Sequence, residues 1–285
     1  MPSRLNSSSY DLFRYIVDFL HLNENTIILI IASIIGICGG FTAVGFFKLI
    51  VFIQTLAIGG STNILELLSA LPWYIKLLLP SIGGLIVGPL IYFFGQETKG
   101  HGVPEVMEAV ALRGGRIRSR VMLLKTFVSA VTIGTGGSVG REGPIVQIGS
   151  SLGSTFGQWL RVGQERLKIL VACGAAAGIA ATFNAPIAGV MFAVEIILGN
   201  YAITTLVPLI MSSVMATIVG RWYFGAMPAF EIPHYNLGSA WEVGPYILLG
   251  IASGAVAVCF VKLLYFLEDL ADKIQIKDWI KTPLL

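Results

Sequence analysis

Gly134-Thr-Gly-Gly-Ser-Val-Gly-Arg-Glu-Gly-Pro-Ile-Val-Gln-Ile-Gly149 is a glycine-rich turn that sets Arg141 beside Glu142 and then opens onto a helix. Six of its sixteen residues are glycine, so the backbone can take positive φ and come close to a neighbour or a ligand. Pro144 suits the first turn of a helix, where a missing N–H costs nothing. The amides left unpaired at such a start, together with about half a positive elementary charge, make a place for an anion.

Around this stretch the chain is apolar. Mean hydropathy is +0.80, hydrophobic residues make up 55% and charged residues 12%, against about 25% charged in an average soluble domain. The composition is that of an all-α integral membrane protein crossing the bilayer several times. A net charge of +3 is spread over loops and gives no patch for nucleic acid. Cys38, Cys173 and Cys259 stand singly in apolar runs, without a spaced histidine, and read as small packing residues rather than metal ligands.

Residues 1–24 mix Arg4, Asp11, Arg14 and Asp18 with apolar positions at helical spacing, which predicts a cytoplasmic amphipathic helix lying in the interface. A spanning run follows from about Thr26 to Ile58, with Gly36, Gly39 and Gly40 as a packing seam and Lys48 snorkelling or pairing inside. A second run covers about Trp73 to Gln96. Gly100-His-Gly-Val-Pro104-Glu105 then repeats the glycine turn into a proline-started helix, too short before Arg113 to cross. Arg113 to Arg120 and Arg161 to Lys168 are basic loops. They share a face if the helix pair between them, about 121–135 and on to Leu160, goes out and back.

The runs at about 169–183, 186–198 and 203–224 are expected to be shorter than full crossings, with Asn184-Ala-Pro186 breaking the chain between two of them. Residues 225–242 form an extracellular or periplasmic connection, and about Val243 to Leu270 is a further crossing, followed by Lys273, Lys277 and Lys281. Lysine and arginine place the N-terminus, both basic loops and the C-terminal lysines in the cytoplasm. Irregular backbone at membrane depth survives only where it is buried or lines a polar cavity. Two broken, proline-started helices therefore predict a site near the midplane at which helix N-termini converge on an anion.

Gly140-Arg-Glu-Gly-Pro-Ile-Val-Gln-Ile-Gly149 resembles the signature of the CLC family of chloride channels and chloride/proton exchangers. Gly100–Glu105, Gly174-Ala-Ala-Ala-Gly178 and Phe183-Asn-Ala-Pro-Ile-Ala-Gly-Val-Met-Phe-Ala-Val-Glu195 resemble further segments of that family, in the same order. The resemblance implies tilted, broken helices forming the first half of an inverted-repeat architecture. Residues 25–224 would be the first repeat and 243–285 the opening helix of a truncated second. It implies selective chloride transport gated by Glu142, whose carboxylate competes with the anion. Proton-coupled antiport of chloride, fluoride or nitrate, and a non-conducting fragment or subunit, are the alternatives.

His101, Gly102, Gly140, Arg141, Gly143, Ile145 and Val146 are the expected anion-binding positions, with the amides of Ile145 and Val146 as donors. Arg141 is also expected to pair with Glu105 or Glu108. Pro104, Glu105, Lys125, Pro144, Asn184 and Pro186 are expected to be structural, and Lys125 to be buried and paired. The family's usual serine is replaced by His101, and its second proton-path glutamate by Ile196. Glu195 is the carboxylate left in that region for a proton path.

No cofactor or metal is expected, only bound chloride. The expected partners are the lipid bilayer, a second copy in a homodimer and a missing C-terminal half of the pore, without which the chain should not conduct as the family does. The expected location is the bacterial inner membrane. Gly136-Gly-Ser138-Val-Gly140 also satisfies the serine-hydrolase pattern, but it lies between helices and lacks a partner histidine nearby, so no enzyme is expected.

Overall fold

A computed structural model describes residues 23–59, 71–94, 102–226 and 238–273. Its regular elements are helices α1 (Glu24–Ile58), α2 (Trp73–Phe94), α3 (Val103–Leu112), α4 (Ser119–Gly134), α5 (Glu142–Trp159), α6 (Gln164–Phe183), α7 (Pro186–Phe192), α8 (Ile203–Phe224) and α9 (Val243–Asp272). A π-helical turn, Ala193–Leu198, continues α7, and a 3₁₀ turn, Ala240–Glu242, precedes α9. Among the described residues, α1, α2, α6, α8 and α9 are long and apolar enough to cross a membrane. The amphipathic N-terminal helix expected over 1–24 lies almost wholly outside the described residues, as does most of the connection at 225–242.

α1 is 35 residues long, about 52 Å at 1.5 Å per residue against a hydrocarbon core of about 30 Å. It ends at Gly59, whose φ of +80° turns its N–H back to Thr55 O. Gly36 presses on the Ser212 carbonyl of α8, and Gly39 faces Ala177 of α6. The expected seam of small residues is therefore the contact between α1 and the two later helices.

α6 lies at the centre, with Leu170, Val171, Ala172, Cys173, Ala175, Ala176 and Ala177 all at 0% exposure. It crosses α5 almost backbone to backbone. A Cβ added at Gly149 would overlap the Gly174 carbonyl oxygen, one at Gly174 would overlap that of Gly149, and Gly153 meets the Leu170 carbonyl in the same way. Small residues allow this approach, and dispersion between closely packed backbones replaces the hydrophobic drive that lipid does not supply.

α6 and α8, of 20 and 22 residues, are long and apolar enough for full crossings, where shorter segments were expected. α6 begins at Gln164, inside the stretch taken for a basic loop, because Glu165 in its first turn favours the positive end of the helix.

The two basic loops meet. A Cβ at Gly115 would lie 3.2 Å from Lys168 N, and one at Gly114 would lie 3.1 Å from the Gln164 side chain. Ser154 Oγ of α5 donates to Gly115 O at 2.7 Å and accepts the Ile117 N–H at 2.9 Å. Gln158 Nε2 donates to Ile117 O at 2.8 Å. α4 and α5 thus go out and back, and the turn at 135–141 stands at the opposite end from the arginines.

α2 buries Gly83, Val87 and Gly88 against α4, and its other face leaves Leu77, Leu78, Ile82 and Leu85 exposed. The described side chains of α9 are exposed along its whole length. Apolar surface on this scale is compatible with lipid or protein around it, not with water.

Candidate functional site

The turn before α3 lies against the turn that opens α5. Gly102 precedes α3 with φ +76°, a conformation that suits glycine. A Cβ there would come within 3.0 Å of the Gly143 carbonyl group. Two helix N-termini, each with its own unpaired amides, therefore converge as their glycine–proline patterns predict. Pro104 is in the first turn of α3, whose Val106 N–H reaches back to Gly102 O at 3.3 Å. His101 lies outside the described residues.

The bookkeeping of amides at α5 differs from expectation. The helix starts at Glu142, so Pro144 is its third residue and not its first. Ile145 N–H donates to Arg141 O at 3.1 Å, and the regular helix engages Val146 one step later. The donors that α5 itself leaves unused are the amides of Glu142 and Gly143, since Pro144 has none. Ile145 and Val146 are 1% exposed, and they contribute packing here rather than donors.

The Glu142 side chain folds back over its own turn, so that a Cβ at Gly140 would overlap Glu142 Oε2. It is exposed, not buried, because Ser138, Val139 and Gly140 are exposed around it. Arg141 takes no part in a pair with Glu105 or Glu108. Its guanidinium carbon lies 5.3 Å from the centre of the Phe183 ring, while Glu108 pairs with Arg113 at 2.6 Å and Glu105 accepts from Gln147 Nε2 at 2.5 Å. Those two acids lie toward the basic loops, out of Arg141's reach.

Arg141 also lines a cavity of about 220 Å³ with Phe46, Phe47, Asn184 and Phe224. Asn184 ends α6 with φ +54°, which asparagine tolerates. Its Oδ1 accepts from Arg221 Nε at 2.7 Å and its Nδ2 donates to Ala226 O at 2.8 Å. Pro186 then opens α7. Lys48 is exposed and stacks its ammonium 4.6 Å from the Tyr223 ring centre, a cation–π contact at the end of α8. The hydrogen bond from Arg221 to Asn184 and the ring under Lys48 were not foreseeable from spacing. Each depends on the packing of α8.

Lys125 is buried, as expected, and faces Glu105. Glu195 sits exposed on the π-helical turn after α7, which packs near α3. Gln147 was missed. It is 1% exposed, and its signal was available, since a carboxamide in the apolar half of α5 needs a partner. Ser138 is exposed in the turn, and His21, His101 and His234 all lie outside the described residues.

A family model described as "Voltage gated chloride channel" matches residues 83–285. A putative chloride channel protein ClcB-like of Ralstonia nicotianae is 38% identical over 230 residues, which are 79% of this chain and 54% of that protein. An H(+)/Cl(-) exchange transporter ClcA of Yersinia pestis is 29% identical over 262 residues, covering 91% of this chain and 55% of the relative. The crystal structure of a slow cyanobacterial Cl-/H+ antiporter superposes with a TM-score of 0.77 at 25% identity, over 90% of this chain and 61% of that one. The chain spans about half the length of the curated relatives it matches.

Proposed function

Because the chain belongs to the voltage gated chloride channel family, we propose that it forms part of a membrane pathway for chloride in which Glu142 is the gate. The observation that carries this reading is the contact of Gly102 with Gly143, which brings two helix N-termini together beside the Glu142 carboxylate. Fixed amides at two helix starts stabilise an anion without a full buried charge, so the ion is held and also released.

Gly102, Gly140 and Gly143 would let backbone approach the anion, and the amides of Glu142 and Gly143 would donate to it. His101 would stand at the same turn. Arg141, on the side of Phe183 and Asn184, would raise the local anion concentration with Lys48 and Arg221 rather than coordinate the ion. The carboxylate and chloride would compete for one place. A rise in chloride would move the carboxylate aside.

Residues 25–224 would act as one repeat, and 243–285 as the first helix of the next. The basic loops meeting at one end of the fold support a cytoplasmic position for that end and for the N-terminus. The bacterial relatives support the plasma membrane of a bacterium. Homodimers, with the remaining pore wall supplied by further chain, would be the assembled form.

The test is electrical. In planar bilayers containing the chain together with the further chain that completes the pore wall, a chloride gradient is expected to set the reversal potential, with gluconate carrying little current. Equal currents in chloride and gluconate would sink the reading.

A further inference from the structure

A second polar hollow lies at the end of the fold where the basic loops meet. It has a volume of about 740 Å³, and its walls include Glu105, Glu108, Arg113, Arg116, Gln147 and Gln158. Sites for small molecules commonly measure about 300–1,000 Å³. α3 ends at Leu112 and the arginines follow at once, while Gln158 is the last residue but one of α5.

Neither the donors nor the acceptors of this hollow are all used. Arg113 pairs with Glu108 at 2.6 Å, whereas the exposed Arg116 guanidinium has no ion pair or hydrogen bond among the described residues. Gln147, 1% exposed, donates from Nε2 to Glu105 Oε2 at 2.5 Å, and its Oε1 has no hydrogen-bond partner among the described residues. A buried acceptor left alone is costly. A carboxylate offers about four lone-pair sites, so Gln147 and the facing Lys125 do not exhaust Glu105.

This mixture narrows the ligand. A bare anion would be drawn to Arg116 but repelled by the carboxylates of Glu105 and Glu108, and a bare cation would meet the converse. A molecule carrying both a phosphate and hydroxyls suits the whole wall. Its phosphate oxygens accept from guanidinium N–H groups, and its O–H groups donate to carboxylate and carboxamide oxygens.

The neighbours of the wall residues are apolar. Leu112, next to Arg113 in the chain, is 79% exposed, and Trp159, next to Gln158, is 78% exposed. Tryptophan is favoured where a bilayer meets water, and basic pockets between membrane helices accept anionic headgroups.

We propose that this hollow binds a hydroxylated phosphate ester, the chemistry shared by the headgroup of a glycerol-phosphate lipid and a soluble polyol phosphate. Arg116 holds the phosphate, and Glu105, Glu108 and Gln147 take the hydroxyls. The site stands independently of the reading of Glu142 as a gate.

Native mass spectrometry of the detergent-purified chain tests it, each ester being paired with a counterpart that lacks the free glycerol hydroxyls. Phosphatidylglycerol is set against phosphatidic acid, and glycerol 1-phosphate against methyl phosphate. At least one ester is expected to bind several-fold more tightly than its counterpart. Charge alone would favour phosphatidic acid, whose monoester carries more than one negative charge at neutral pH. Arg116→Gln is expected to weaken the ester roughly tenfold. Arg120→Gln, in the first turn of α4 and outside the walls, should leave it unchanged. Both side chains are exposed, so neither replacement opens the core.

Tighter binding of phosphatidylglycerol than of glycerol 1-phosphate identifies a lipid headgroup as the occupant, and the reverse or equality identifies a soluble ester. Neither ester preferred over its counterpart, no binding of either, or equal weakening by Arg116→Gln and Arg120→Gln overturns the proposal.

Discussion

Gly174→Ala is expected to destabilise the protein by roughly 1–3 kcal/mol, seen as a lower unfolding temperature in detergent by tryptophan fluorescence. Replacing a mid-helix glycine with alanine ordinarily favours the helix by about 0.5–1 kcal/mol. Here the added methyl would overlap the Gly149 carbonyl oxygen, which is backbone and cannot rotate away. The overlap is reciprocal, so Gly149→Ala is expected to act in the same direction. Gly250→Ala on α9, with nothing within 4 Å of its added Cβ, supplies the control and should be neutral or mildly stabilising. Equal unfolding temperatures for Gly174→Ala and Gly250→Ala would mean that α5 and α6 do not touch as described.

Glu142→Ala should raise chloride flux through the completed pore several-fold at fixed pH. In the unaltered protein the carboxylate lies over Gly140, where, as the proposed gate, its charge would repel an anion from the converging helix starts. Removing the carboxylate leaves that turn open to chloride. Glu142→Gln, which keeps the shape without the charge, should behave as a permanently neutral gate and also raise flux. Flux in both variants no higher than in the unaltered protein would take Glu142 out of the gate.

Proline and glycine made the broken helices legible in the sequence. Pro104, Pro144 and Pro186 mark three helix starts within two residues of where the backbone places them, because each restricts its own φ wherever it stands. The basic loops were legible for a similar reason, since charge cannot lie in lipid unpaired. What escaped depends on tertiary packing. Gln147 and Glu105 are 42 residues apart, and no local rule brings them together. Arg141 was expected to find a carboxylate, yet the end of α6 presents the Phe183 ring to it. The start of α6 escaped because charges at Glu165, Arg166 and Lys168 hide a helical turn from a reading based on hydropathy.

α5 buries Gln147, Ser150, Ser151 and Ser154, and it is not among the helices apolar enough to cross alone. That has a consequence for biosynthesis. A nascent chain that has just released α5 from the ribosome holds a segment that lipid would not retain, while the helix able to shield it, α6, is still being made. α5 is therefore expected to be held in the bilayer only once α6 is present to cover the serines, so that a chain ending before Gln164 should retain α5 poorly in a membrane-insertion assay.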